Sequence, residues 1–285
     1  MQQIHLKSYS KVNLSLRVIK KLNNGLHKIQ SIITFCEPFD HLYISLSHAC
    51  KDKIVFIGKF GKEIGNKNSI YKTLKQLRER KIIKKKYFNI KIYKNIPIGA
   101  GLGGGSSNAA VLLNYFLNKS KNKLKNKSIF NLAKKIGFDV PIVLAKLRNF
   151  HYQKKNFFFL KRKIPLYFLL VFPNIFSSTK VIYNKNKNFS KNNKIYNYQI
   201  NRSKNIINIL INEQNDLQKI VIKKYPIVEK VIKHILKIKG CHFSRITGSG
   251  STCIGVFSSK KYCNKGKEFM KKKFPNFWIR VSKTI

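Results

Sequence analysis

Acidic residues are scarce in this chain. Ten aspartates and glutamates face 59 lysines and arginines over 285 residues, for a formal charge of +49. Any search for a proton acceptor is thereby narrowed to ten positions, and only Asp139 among them lies in a motif. Cysteine is sparse as well: Cys36, Cys50, Cys241, Cys253 and Cys263 are scattered without a C-x-x-C pair, and the seven histidines form no H-E-x-x-H spacing. That pattern argues against a structural metal and against a disulfide framework. Together with the lack of an apolar leader behind the first methionine, it sets the expectation of a reducing, cytoplasmic setting. Long hydrophobic runs are missing too. The most apolar one, "IPLYFLLVF" at 164–172, falls far short of the roughly 20 residues a membrane helix needs, so it reads as a buried strand.

What the chain has in excess is lysine. The runs "KIIKKK", "KSKNKLKNK" and "MKKKF" gather at neither terminus and in no nucleic-acid module. They are expected to be solvated faces produced by composition bias, with no specific nucleic-acid partner and no membrane. Such a field would still draw anionic small substrates and hold RNA non-specifically at low salt.

With 43% hydrophobic residues the chain can bury a sizeable core. Residues 11–18, "KVNLSLRV", alternate strictly, placing Val12, Leu14, Leu16 and Val18 on one face of a half-buried strand and Lys11, Asn13, Ser15 and Arg17 on the other. "NNG" at 23–25 turns the chain and "KIQSIITF" returns it as a hairpin. "HLYISL" and "KIVFIG" extend the β-rich start. "NSIYKTLKQLRER" reads as a helix capped by Asn68 or Ser69, and "YFNIKIY" as a strand. Beyond lie a helix starting at Ser128 and ending at Gly137 in a left-handed position, a surface loop over 183–205, a helical stretch near 215–238, the strand and turn "SRITGSGSTCIGVF", and a closing helix and strand. No repeat has a fixed period. The order of elements predicts an α+β chain in two halves, 1–155 and 156–285.

One stretch asks for a ligand. "PIGAGLGGGSSNAA", residues 97–110, holds five of the fifteen glycines and joins a strand to a helix on which Ala109, Leu112, Leu113, Phe116 and Leu117 recur at helical spacing, with Ser106 or Ser107 as N-cap. Glycine lets successive N–H groups converge on one anion, and a helix start adds unsatisfied amides and a positive dipole end. A phosphate cradle outweighs a flexible linker. The loop is not a dinucleotide fingerprint, because residues 118–128 offer no carboxylate for a ribose, and it is not a P-loop, because it ends Gly-Ser-Ser instead of Gly-Lys-Ser/Thr.

The spacing from Pro97 through Gly101, Leu102, Gly103, Gly104 and Gly105 to Ser106 and Ser107 resembles the GHMP kinase superfamily, small-molecule kinases whose glycine-serine loop wraps the phosphates of ATP. "SKVNLSLRV", "NGLHKIQS", "FDVPIVL" and "ITGSGSTCIGVF" resemble further motifs of one branch, in the same order over residues 10–257. The resemblance implies a two-domain fold of mixed sheets packed against helices, with the active site in a cleft between domains. It implies phosphoryl transfer from ATP, with Mg2+, to a cytidine-diphosphate alcohol by a monomer or weak homodimer. Taken residue by residue, it makes Asp139 the general base, where the plain reading is a helix N-cap, and Lys11 its catalytic partner. ATP would lie on Pro97, Gly99, Ala100, Gly101, Leu102, Gly103, Gly104, Gly105, Ser106 and Ser107, with Asn68 and Lys94 near adenine; any protein ligand of magnesium would be Ser106 or Ser107. Substrate would meet Asn13, His27, Thr179 and Tyr183 and the turn at Gly248, Ser249 and Gly250. Two departures stand out: Leu26 replaces the aromatic residue usual before the histidine, and "RNFHYQKKNFFFLKRK" replaces a small, acidic turn. A homoserine- or mevalonate-type kinase, or a basic nucleic-acid binder, are the rival readings.

Overall fold

The computed structural model describes residues 3–62, 64–65, 68–121, 124–148, 157–159, 165–191 and 206–285. It divides into two compact units that interleave along the chain: residues 1–11, 38–98 and 103–153 form the first, and 12–37, 99–102 and 154–285 the second. The chain crosses between the units for the last time at 153–154. The stretches 12–37 and 99–102 are grouped with 154–285, so strands β1 (Ile4–Asn13) and β3 (His27–Leu46) each contribute residues to both units.

In the first unit, β1 and β3 are followed in sheet order by β5 (Phe88–Tyr93) and β4 (Lys53–Ile57). β3 and β5 run antiparallel with His41 opposite Tyr93 and Leu42 opposite Ile92, while β4 lies parallel to β5. Period-two alternation sorts the side chains. Leu42, Ile44, Ile90 and Ile92 are buried, and His41, Tyr43, Lys91 and Tyr93 point the other way. α1 (Ser69–Glu79) lies between β4 and β5 in the chain, and α2 (Gly104–Lys119), α3 (Asn126–Ile136) and α4 (Val140–Leu147) follow β5. α2 packs against α1 and α4, and its Phe116 ring lies 4.7 Å from that of Phe88 on β5. Asn68 proves to be the cap of α1, its Oδ1 accepting from the N–H groups of Ile70 and Tyr71. Gly137 ends α3 with a φ of 179°, extended where a left-handed residue was expected.

The second unit contains an antiparallel sheet in the order β10 (Trp278–Lys283), β7 (Tyr167–Phe172), β9 (Cys253–Phe257), β8 (Cys241–Ile246). The hairpin of β2 (Arg17–Lys21) with β3 and a short parallel strand β6 (Phe157–Phe159) complete its β structure. Its helices are α5 (Thr179–Asn184), α6 (Ile206–Ile211), α7 (Gln218–Lys224), α8 (Pro226–Leu236) and α9 (Lys260–Lys273). α8 is rich in β-branched residues, which are indifferent helix formers. Its buried Val228, Val231, Ile232 and Ile235 each contribute about 1.5–3 kcal/mol by leaving water, so packing holds it.

Three expectations are corrected. The single helix near 215–238 is two, because Pro226 has no N–H and pushes Tyr225 to φ −134° and ψ 81°. The alternating 11–18 stretch is not one half-buried strand: β1 starts at Ile4, the chain leaves it after Asn13, and Lys11, Asn13 and Ser15 are as buried as their apolar neighbours. Residues 179–184, expected to precede or begin a surface loop, form helix α5, with Ser178 as its cap. Residues 192–205 of that loop, and 149–156 and 160–163 of the altered segment, lie outside the described residues. No helix among the described residues is long and apolar enough to cross a membrane.

Candidate active site

β1 ends by delivering Lys11, whose side chain is 5% exposed, and the turn before α4 delivers Asp139, 35% exposed; Nζ and Oδ2 are 3.1 Å apart. Asp139 occupies the N-cap position of α4 yet makes no capping bond, so its carboxylate is committed to the lysine. The plain N-cap reading therefore fails, and the two predicted catalytic residues meet. Gly103 borders them. Its φ of 66° is left-handed, and a Cβ added there would stand 3.1 Å from Lys11 Cε and 3.8 Å from Asp139 Oδ2. The backbone conformation calls for glycine, and a methyl there would fit only if the Lys11 side chain gave way by a few tenths of an ångström.

Gly103 is also the N-cap of α2, so Ser106 and Ser107 sit inside the first turn instead of capping it. No side chain caps this 16-residue helix. The first-turn N–H groups have no intrahelical acceptor, and the helix dipole adds positive potential there. That is an anion site made of backbone. Of the two serines only Ser106 keeps surface, Ser107 being fully buried. Pro97, Ala100, Leu102 and Gly104 are buried, whereas Gly99, Gly101, Gly103 and Gly105 keep surface, so the loop anchors by alternate residues. The Ser69 hydroxyl donates to the Gly105 carbonyl at 2.9 Å, joining the start of α1 to the loop.

Lys94 is 2% exposed, and its ammonium is bound to Asp40, which is wholly buried. Burial pushes the Lys94 pKa down and the Asp40 carboxylate pushes it back. Asp40 also accepts from the N–H groups of Asn95 and Ile96 at 2.8 and 2.9 Å, immediately before the loop. Sequence reasoning missed Asp40, although a signal existed: it has the parity of Leu42 and Ile44 on β3, as Lys94 has that of Ile90 and Ile92 on β5. An acid and a lysine on buried strand faces require each other.

In the second unit, Asn13 is buried, its Nδ2 donating to Ser31 Oγ at 2.7 Å and its N–H to Thr247 Oγ1 at 2.9 Å. The His27 and Tyr183 rings come together with centroids 5.2 Å apart. His27 Nε2 is buried without a hydrogen-bond partner. Burial and the facing Lys21, opposite it across the hairpin, hold the imidazole below its usual value of 6.5. A neutral ring with one unused nitrogen is suited to reading a base edge. Leu26 precedes it in the turn, its N–H donating to Asn24 Oδ1. Thr179, exposed at the start of α5, shares a 2.9 Å hydrogen bond between its Oγ1 and Ser249 Oγ.

The turn at Gly248, Ser249 and Gly250 is buried and packs on the backbone of residues 99–102. Thr252 N–H donates to the Ala100 carbonyl, and a Cβ on Gly101 would stand 2.2 Å from the Thr247 carbonyl oxygen. Asn215, also missed, secures the turn by donating to the Ile246 and Gly248 carbonyls at 3.0 and 2.9 Å. Among the described residues no group of three or more His, Cys, Asp or Glu could hold a metal.

The family model described as GHMP kinases N terminal domain matches residues 68–146, and the one described as GHMP kinases C terminal matches residues 200–276. Both halves of a GHMP kinase are thus present. A 4-diphosphocytidyl-2-C-methyl-D-erythritol kinase from Pelagibacter ubique is 39% identical to this chain over the full length of both. Among solved structures, a 4-(cytidine 5'-diphospho)-2C-methyl-D-erythritol kinase superposes with a TM-score of 0.72 at 21% identity, covering 99% of this chain and 100% of that one. A homoserine kinase from Cytophaga hutchinsonii gives 0.69 at 18%, covering 100% and 95%. The fold therefore does not choose between acceptors, but the sequence does: the chain belongs to the 4-diphosphocytidyl-2-C-methyl-D-erythritol kinase family.

Proposed function

We propose that this enzyme transfers the γ-phosphate of ATP to the 2-hydroxyl of 4-diphosphocytidyl-2-C-methyl-D-erythritol, a step of the non-mevalonate isoprenoid pathway. The observation that carries the reading is the Lys11 and Asp139 pair beside the uncapped start of α2. The 2-hydroxyl oxygen attacks the γ-phosphorus, its proton passes to Asp139, and the bond from that phosphorus to the β,γ-bridging oxygen breaks, releasing ADP. Lys11, 3.1 Å from the Asp139 carboxylate, supplies positive charge where the acceptor oxygen becomes negative as its proton leaves. Residues 99–106 hold the nucleotide phosphates through backbone amides. Magnesium bound with the nucleotide would supply charge compensation at the β- and γ-phosphates, and Ser106, the one of the two serines that keeps surface, would hold it.

His27 and Tyr183 are the cytosine site in this reading, supported by the unused buried Nε2 and the adjacent rings. Asn13 and Thr179 hold the remainder of the substrate. Lys94 is assigned away from adenine, because its charge is spent on Asp40 inside the first unit. Asn68 keeps its place near the nucleotide only as the cap of α1. The test is ADP release with the cytidine-diphosphate alcohol, homoserine and mevalonate as separate acceptors. Turnover confined to the first supports the assignment, and equal turnover of homoserine would sink it.

A further inference from the structure

We infer that Asp40 is a positioning residue for the phosphate loop, setting the enzyme's grip on ATP and not its grip on the alcohol. The inference rests on the nucleotide reading of residues 99–106 and goes beyond it by naming what holds that backbone in place. Continuing the β3–β5 register by one step, from His41 opposite Tyr93, sets Asp40 opposite Lys94. One carboxylate then fastens three consecutive residues. Oδ2 takes the Lys94 ammonium, and Oδ1 accepts both the Asn95 and the Ile96 N–H groups. Pro97 follows at once, so the tie fixes the last backbone before the glycine run.

The same cluster touches the far end of the loop. A Cβ on Gly104, the first residue of α2, would stand 3.0 Å from Ile96 Cγ2 and 3.4 Å from Lys94 Nζ. Ile96 and Lys94, both held by Asp40, thus form the wall against which the helix start rests. The residues bracketing the loop within the first unit are held by one buried acid. Phosphate binding by backbone amides depends on where those amides point, and a displacement of the order of 1 Å is costly. Lys94 cannot carry this role alone, since its charge next to a helix start would be unfavourable without the carboxylate.

Two variants test the assignment, Asp40→Asn and the double variant Asp40→Asn with Lys94→Met. Each is measured for melting temperature, for ATP binding by calorimetric titration without acceptor, and for KM of both substrates. The single variant strands a buried ammonium; the double removes it, so stability recovers while the ammonium anchor stays lost and the Asn95 and Ile96 N–H groups meet a neutral amide oxygen in place of a carboxylate. Expected is an ATP KM raised about tenfold or more in both variants, with the KM of the alcohol within about twofold of wild type. If the single variant does not fold, the double alone decides. ATP affinity returning to wild type along with melting temperature, or both KM values rising together, would overturn the assignment and leave the kinase reading intact. Wild-type enzyme that fails to bind ATP would overturn both.

Discussion

Lys11 Nζ lies 3.1 Å from Asp139 Oδ2, the lysine almost wholly buried and the carboxylate about one third exposed. The cation is held inside while the acid faces outward, as a proton acceptor for an arriving hydroxyl requires. Since Asp139 makes no capping bond, Asp139→Asn removes no cap. The variant takes the countercharge from the almost wholly buried Lys11, so a modest fall in melting temperature is expected, while kcat falls by about 10²- to 10⁴-fold. A fall in melting temperature with kcat retained would restore the plain helix-cap reading.

Gly103 makes a second test because it serves the loop and the pair together. In Gly103→Ala the left-handed φ of 66° becomes strained, by about 1–2 kcal/mol for a residue with a Cβ. The new methyl also stands 3.1 Å from Lys11 Cε. Thermal unfolding should show the modest loss, and steady-state kinetics a fall in kcat of about tenfold or more, because displacing the lysine misplaces its partner. A variant with full kcat would show that Lys11 tolerates movement and is not positioned for chemistry.

The cytosine assignment carries a pH dependence whose sign follows from His27. Its folded pKa lies below 6.5, lowered by burial and then by Lys21. The folded state therefore binds that proton less readily than the unfolded chain. The contribution of His27 to stability is full above 6.5 and is lost as pH falls through the lowered value. Protonation also takes away the ring's acceptor. KM for the alcohol should rise as pH falls through the lowered His27 value while KM for ATP stays flat, and His27→Phe, which keeps a ring against Tyr183, should abolish that difference. A pH effect shared equally by both substrates would contradict the assignment.

Much of the site was readable in advance because its residues lie in short, ordered stretches: Lys11 and Asn13, His27, the glycine loop, Asp139 and the second glycine turn. The helix boundaries were less so. Serine is the better N-cap by propensity, but at α2 a left-handed glycine takes the position and leaves Ser106 and Ser107 inside the first turn. The pairing of Asp40 with Lys94 was hidden for another reason. The sequence shows each only as one charge among many, and pairing them requires the β3–β5 register, a long-range property. Scarce acids turned out to be informative in themselves. Asp40, Asp52, Asp139 and Glu213 each neutralise a lysine or arginine distant in sequence, at Lys94, Arg78, Lys11 and Arg17. In a chain with so few carboxylates, these four are used where a cation must be held still.

The most direct measurement is the position of the new phosphate, read by phosphorus and carbon NMR on the product formed from ATP and 4-diphosphocytidyl-2-C-methyl-D-erythritol. Coupling to the tertiary carbon C2, with ADP released in equal amount, is the expected result. Phosphate found on a different hydroxyl, or ATP consumed with the alcohol returned unchanged, would contradict the assignment of Lys11 and Asp139 as the pair that activates the 2-hydroxyl.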